Sequence, residues 1–145
     1  NGDSGRTEDV KIWGMWNILG EEVFGDASQE ELRPWYYTWS LMCRCFPAGC
    51  DILACEVPQR DGVRVAAARK DGAYSVAAVN FSQEPCDVEI ALPGDFAGGV
   101  LYRYTENDRA CDERGLPVPC ECGIEGRSFR TTLPAESFVL LTNIE

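Results

Sequence analysis

From Cys50 onward, short apolar runs recur at roughly ten-residue spacing, and each is closed by glycine, proline, aspartate or asparagine. This rhythm leaves little choice of fold. Expected strands cover 50–57, 62–70 and 73–81, with Asp71-Gly72 between the last two as a strong hairpin signal. In 85–92, Cys86, Val88, Ile90 and Leu92 take the inward phase, and Asp87, Glu89 and Ala91 the outward one. Further strands are expected over 100–105, around 118–122, over 127–133 and over 137–143. A polar, proline-bearing loop covers 107–119, and a turn lies at 123–126. The segment 73–81 is apolar on both phases and is therefore placed centrally. The expected fold is mostly β: an antiparallel β-sandwich of about seven to eight strands, preceded by an aromatic helix.

That helix is signalled by LRPWYYTWSLMCRCF, residues 32–46. Trp35, Trp39, Met42 and Phe46 recur at helical spacing and read as its packing face. Pro34 suits a helix start, and Pro47-Ala48-Gly49 a helix stop. Ser28 and Glu31 form a possible capping box for a short earlier turn. Before it, 17–26 reads as a loop bearing Glu21, Glu22 and Asp26. Residues 10–16 read as a strand with Val10, Ile12, Gly14 and Trp16 on one face and Trp13 on the other. The chain thus divides into a strand-loop-helix appendage, 1–48, and a sandwich domain, 49–145.

With 24 acidic against 13 basic residues, the formal charge is −11. Such a surface repels phosphate, so neither nucleic acid nor an anionic membrane is an expected partner. No apolar run approaches the ~20 residues that span a bilayer. Histidine is absent, which removes Ser-His-Asp, Cys-His and His-metal chemistry from within these 145 residues. The eight cysteines include Cys43-Arg44-Cys45 and Cys120-Glu121-Cys122, a spacing unlike that of zinc ribbons or redox motifs. They read as free, mostly buried thiols acting as small hydrophobes, which favours a reducing, cytoplasmic setting over secretion. No metal or cofactor is expected.

Glycoside hydrolysis needs two carboxylates on facing elements about 5–9.5 Å apart. Glu21, Glu22 and Asp26 are the acidic cluster beside the Trp segment, but their spacing sets no acid against a base, so no catalytic residue is assigned. Aromatic faces suit sugar stacking instead. Trp13 and Trp16, at the end of a strand, and Tyr102 and Tyr104, on one face of another, are the candidate carbohydrate-binding residues. Burial against the helix is the competing reading for the two tyrosines.

KIWGMWN, ELRPWYYTWSLMCRCFPAGCDIL, VRVAAARKDGAYSVAAVNFSQEPCDVEIALP and TLPAESFVLLTN together resemble the C-terminal end of a bacterial glycoside hydrolase. The resemblance is to the (β/α)-barrel clan of xylosidase/iduronidase-type and cellulase-like enzymes. It implies that KIWGMWN matches the last barrel strand and RPWYYTWSLMCRCFPAG the last barrel helix, followed by an accessory sandwich. Trp16, or else Trp13, would then correspond to a sugar-lining Trp. The catalytic glutamates of such enzymes lie on earlier barrel strands, and a complete barrel needs roughly 250 residues. The resemblance therefore implies a catalytically silent accessory domain whose partner is the barrel of the same parent chain. The alternatives are a carbohydrate-binding module that takes up an oligosaccharide, and an interaction sandwich that holds a protein partner through its helix.

Overall fold

The computed structural model describes residues 15–16, 20–30, 32–33, 35–94 and 96–144. The chain forms two compact units, Asn1–Tyr37 and Thr38–Glu145. The division falls inside the aromatic helix, ahead of the position 48 read from the sequence.

In the first unit, Trp16 makes an isolated antiparallel bridge with Leu32. Beside it, the Arg33 amide donates to the Met15 carbonyl at 2.8 Å. The expected strand 10–16 otherwise lies outside the described residues. The expected loop at 17–26 is partly helical: α1 spans Gly20–Phe24, with Glu21 and Glu22 in its first turn, where carboxylates favour a helix N-terminus. A 3-10 turn follows at Ala27–Gln29. Its cap is Asp26 rather than Ser28, since the Asp26 carboxylate accepts from both the Ser28 amide (2.9 Å) and the Ser28 hydroxyl (2.6 Å). Glu31, the other half of the expected capping box, lies outside the described residues.

The helix α2 spans Trp35–Cys45, directly after Pro34 as expected. Its period matches the sequence reading, but its phase does not. Leu41 (2% exposed) and Cys45 (1%) form the buried line, Met42 and Phe46 flank it, and Trp35 and Trp39 remain exposed. Leu41 and Cys45 are smaller and let the helix backbone approach the sheet more closely. The two bulkiest side chains are displaced to the flank.

The second unit holds eight strands: β1 Asp51–Leu53, β2 Val63–Lys70, β3 Ala73–Asn80, β4 Cys86–Ala91, β5 Gly99–Tyr104, β6 Glu121–Ile124, β7 Ser128–Leu133 and β8 Ser137–Thr142. Six form one antiparallel sheet in the order β1-β2-β3-β8-β5-β6, and β4 and β7 form a second. The β2–β3 hairpin turns on Asp71 (φ 50°) and Gly72 (φ 85°), the left-handed pair that matches strand twist. Two expectations shift. Strand β1 stops at Leu53 instead of reaching 57. Strand β6 runs through Gly123, which the sequence placed in a turn. Gly123 (φ 74°) is instead the extra residue of a bulge, because Gly99 pairs with Ile124 while Val100 pairs with Cys122.

Strand β8 is buried at all six positions, SFVLLT. A strand with two buried faces needs a layer on each side, and the sheet has both. On one face Ala77, Tyr102, Phe138 and Leu140 pack with Leu41 and Cys45 of α2. On the other, Ala78, Leu101, Val139 and Leu141 pack with Cys86 of β4 and Leu133 of β7. The central position of β3, between β2 and β8, follows from the same two-sided burial. The layers of this unit are therefore helix, large sheet, small sheet.

Candidate functional site

Three of the four candidate sugar-binding aromatics are described; Trp13 lies outside the described residues. Trp16 is 58% exposed. Tyr102 is 8% exposed, packed in the α2 cluster, with the Arg44 guanidinium 5.1 Å from its ring centroid. Burial raises its hydroxyl above the usual tyrosine range. Tyr104 is half-buried at the edge of the same cluster, and burial raises its hydroxyl too, against the opposing charge of Arg109. Tyr102 and Tyr104 share a sheet face as expected, and that face is the one α2 covers.

Tyr104 nevertheless borders a shallow cleft of about 370 Å³, together with Thr38, Val79, Phe81, Glu136 and Phe138. Phe81 is 56% exposed, and Arg64 stands 5.3 Å from its ring centroid. Glu136 accepts from the Gln83 amide nitrogen at 2.8 Å. The cleft thus offers the rings of Phe81 and Tyr104, with Phe138 buried behind them, and the Glu136 carboxylate, a set whose apolar surface and acceptor suit a sugar. Phe81 was missed from sequence because it reads as the last residue of the strand 73–81, which is apolar on both phases. The available signal was Arg64, which the hairpin register places opposite Val79, two residues from Phe81.

A larger cleft of about 620 Å³ opens between the two sheets, beside β4 and over β1 and β2. It is bordered by Leu53, Val65, Tyr74, Val88 and Ile90, with Glu56, Arg60, Asp87 and Glu89 also along it. Its wall is largely aliphatic.

Glu21, Glu22 and Asp26 are exposed, and Asp26 is occupied with Ser28. All eight cysteines are free thiols. They are less buried than the sequence reading held: Cys45 and Cys86 are buried, Cys50 and Cys111 half-buried, and Cys43, Cys55, Cys120 and Cys122 exposed. Cys43 lies on the open side of α2, Cys55 and Cys120 lie outside the strands, and Cys122 sits at the β6 bulge, where no inward phase holds them. Among the described residues, no group of three or more Cys, Asp or Glu is placed to hold a metal ion. No helix among them is long and apolar enough to cross a membrane.

No family model matches the chain, and no curated protein matches it by sequence. Solved structures do match by fold. A GH30 endoxylanase from Clostridium papyrosolvens C71 aligns with a TM-score of 0.62 at 16% identity, over 81% of this chain and 29% of its own. A glycoside hydrolase family 30 subfamily 8 xylanase from Clostridium acetobutylicum aligns at 0.65 and 12% identity, over 89% of this chain and 30% of its own. At these identities the likeness is one of fold. The chain spans less than a third of the length of either xylanase, and its mostly β fold is the fold of that part of them.

Proposed function

We infer that this chain is a non-catalytic accessory β-sandwich of a larger glycoside hydrolase acting in carbohydrate degradation. The observation that carries the reading is the match of 81–89% of this chain to under a third of two xylanase chains. The sequence resemblance to the barrel-to-sandwich end of (β/α)-barrel glycosidases points the same way. On this reading the remainder of the parent chain supplies the catalytic carboxylates, and the sandwich supports the barrel. The test is the intact mass of the parent protein, followed by hydrolysis assays on xylan and β-glucan with the whole protein and with this chain alone. The whole protein is expected to cleave one of them and this chain neither. A parent without hydrolytic activity on such polysaccharides overturns the reading.

A second reading is favoured by one observation, the Phe81–Tyr104 cleft with Glu136 at its rim. It makes the sandwich a carbohydrate-binding module. Titration with xylo-oligosaccharides decides it. Binding that Phe81→Ala and Tyr104→Ala each weaken about tenfold supports it, on the scale of one aromatic stacking contact. An unchanged titration in the variants removes it.

A further inference from the structure

Asn80-Phe81-Ser82 is the one N-x-S/T sequence in the 145 residues. Such a sequence accepts N-linked oligosaccharide and ordinarily marks an exposed loop. Here the acceptor is 0% exposed. Asn80 shares its face of β3 with Ala78 and lies opposite Val63, and both of these belong to the cluster between the two sheets. Phe81, the next residue, is 56% exposed, so the three residues straddle the boundary of the core.

The nitrogen that would carry a glycan is the one that ties this corner of the fold. Nδ2 donates to the carbonyls of Glu84, Leu133 and Pro134 at 2.8–3.2 Å. A glycan replaces one of its two hydrogens and leaves a single N–H among three carbonyls. It also bonds a sugar ring to an atom that already has three protein oxygens at hydrogen-bond distance, where close packing leaves no room for one. The Ser82 hydroxyl, which the acceptor sequence also needs, is taken up as well: it donates to Asn80 Oδ1 at 2.7 Å and reaches the Glu84 carbonyl at 3.0 Å. Chain order decides when Nδ2 is free. Leu133 and Pro134 follow Asn80 by 53 and 54 residues. At roughly 5–20 residues per second, synthesis delivers them about 3–11 s after Asn80. Until then the β7–β8 connection cannot close over the side chain.

We propose that Asn80 is a folding-gated glycosylation site, open to oligosaccharide transfer on the emerging chain, closed in the folded one, and incompatible with the fold once modified. In the transfer, Nδ2 forms a bond to C1 of a lipid-pyrophosphate-linked oligosaccharide, and the C1–O bond to the pyrophosphate breaks. Nδ2 gives up a proton to the transferase, and the lipid pyrophosphate leaves with the bonding electrons. The site depends on the chain's own packing, whether or not the parent is a hydrolase.

The intact parent protein tests this in two settings, with occupancy of Asn80 read by peptide mass mapping. Synthesised into microsomal vesicles behind a cleavable leader, it is expected to carry glycan at Asn80 on a fraction of the chains. Folded first, then given the same transferase and lipid-linked donor, it is expected to reach less than about a tenth of that occupancy, because transfer must wait for the core to open. A brief protease pulse on the vesicle product, after the membrane is dissolved, compares both forms in one sample. The glycosylated form is expected to survive at least about tenfold less than the unmodified form, since cleavage follows the unfolded population. Equal survival of the two forms overturns the proposal. So does glycan on the folded protein at the vesicle level, or an Asn80 that stays unmodified in the vesicles.

Discussion

Asn80 holds more of the second unit together than any residue that periodicity singles out. It is fully buried, and its side-chain nitrogen donates to the carbonyls of Glu84 (2.8 Å), Leu133 (3.2 Å) and Pro134 (2.9 Å). Its side-chain oxygen accepts from the Ser82 amide and hydroxyl. The end of β3, the following turn and the β7–β8 connection thus meet on one amide. Asn80→Ala leaves these groups without partners and is expected to cost about 2–4 kcal/mol in chemical denaturation. Asn80→Asp is expected to cost at least as much at neutral pH, because a carboxylate would face three carbonyls. Cys45 makes a second prediction. Burial of this last residue of α2 against the sheet pushes its thiol up, with Arg44 opposing. The unfolded thiol therefore ionises first as pH rises. The contribution of neutral, buried Cys45 is fully present below the unfolded thiol value, about 8.5, and is lost as pH climbs through the higher folded value. Stability measured from pH 7 to 10.5 is expected to fall, and Cys45→Ser to flatten the early part of that fall. A parallel curve for the variant would assign the alkaline loss to the other groups that burial raises, Cys120, Tyr102 and Tyr104.

At the level of elements, α2 shows how a correct period can carry a wrong phase. The spacing of Trp35, Trp39, Met42 and Phe46 fits a helix, and the line rotated toward Leu41 and Cys45 fits it equally well. Packing on the sheet chooses between them: the smaller Leu41 and Cys45 lie against Tyr102, Phe138 and Leu140, and the two Trp stay exposed. Leu41→Ala is expected to destabilise by about 2–4 kcal/mol through lost burial and the cavity left behind. Trp39→Ala, at a 54% exposed position, is expected to cost no more than about 1 kcal/mol. Thermal melts of the two variants compare the lines directly, and the reverse order would restore the Trp stripe as the packing face. The strands were easier to read. In β4, alternation placed Cys86 and Leu92 inward and Asp87 and Glu89 outward, and all four lie so. Asp71-Gly72 marked its hairpin because few residue pairs accept two left-handed conformations in succession.

At the level of the whole molecule, both buried clusters lie within Thr38–Glu145. Deleting residues 1–31 leaves α2 intact and is expected to preserve one cooperative unfolding transition, with a midpoint within about 5 °C of the 145-residue chain, a change of no more than ~1.5 kcal/mol at this size. A broad or missing transition by calorimetry would tie the folding of the sandwich to the first unit. The candidate site was less legible than the fold. Tyr104 was found through its alternation with Tyr102, whereas Phe81 and Asn80 acquire their roles from segments far away in sequence. By itself the sequence determined the β class, the hairpin, the helix and most strand positions, because period, turn residues and proline act over a few neighbours. Tertiary structure alone decided which line of α2 is buried, that β8 is covered on both faces, and that β4, among the described residues, pairs with β7 alone. Each of these depends on which distant surfaces meet, and local periodicity carries no record of that.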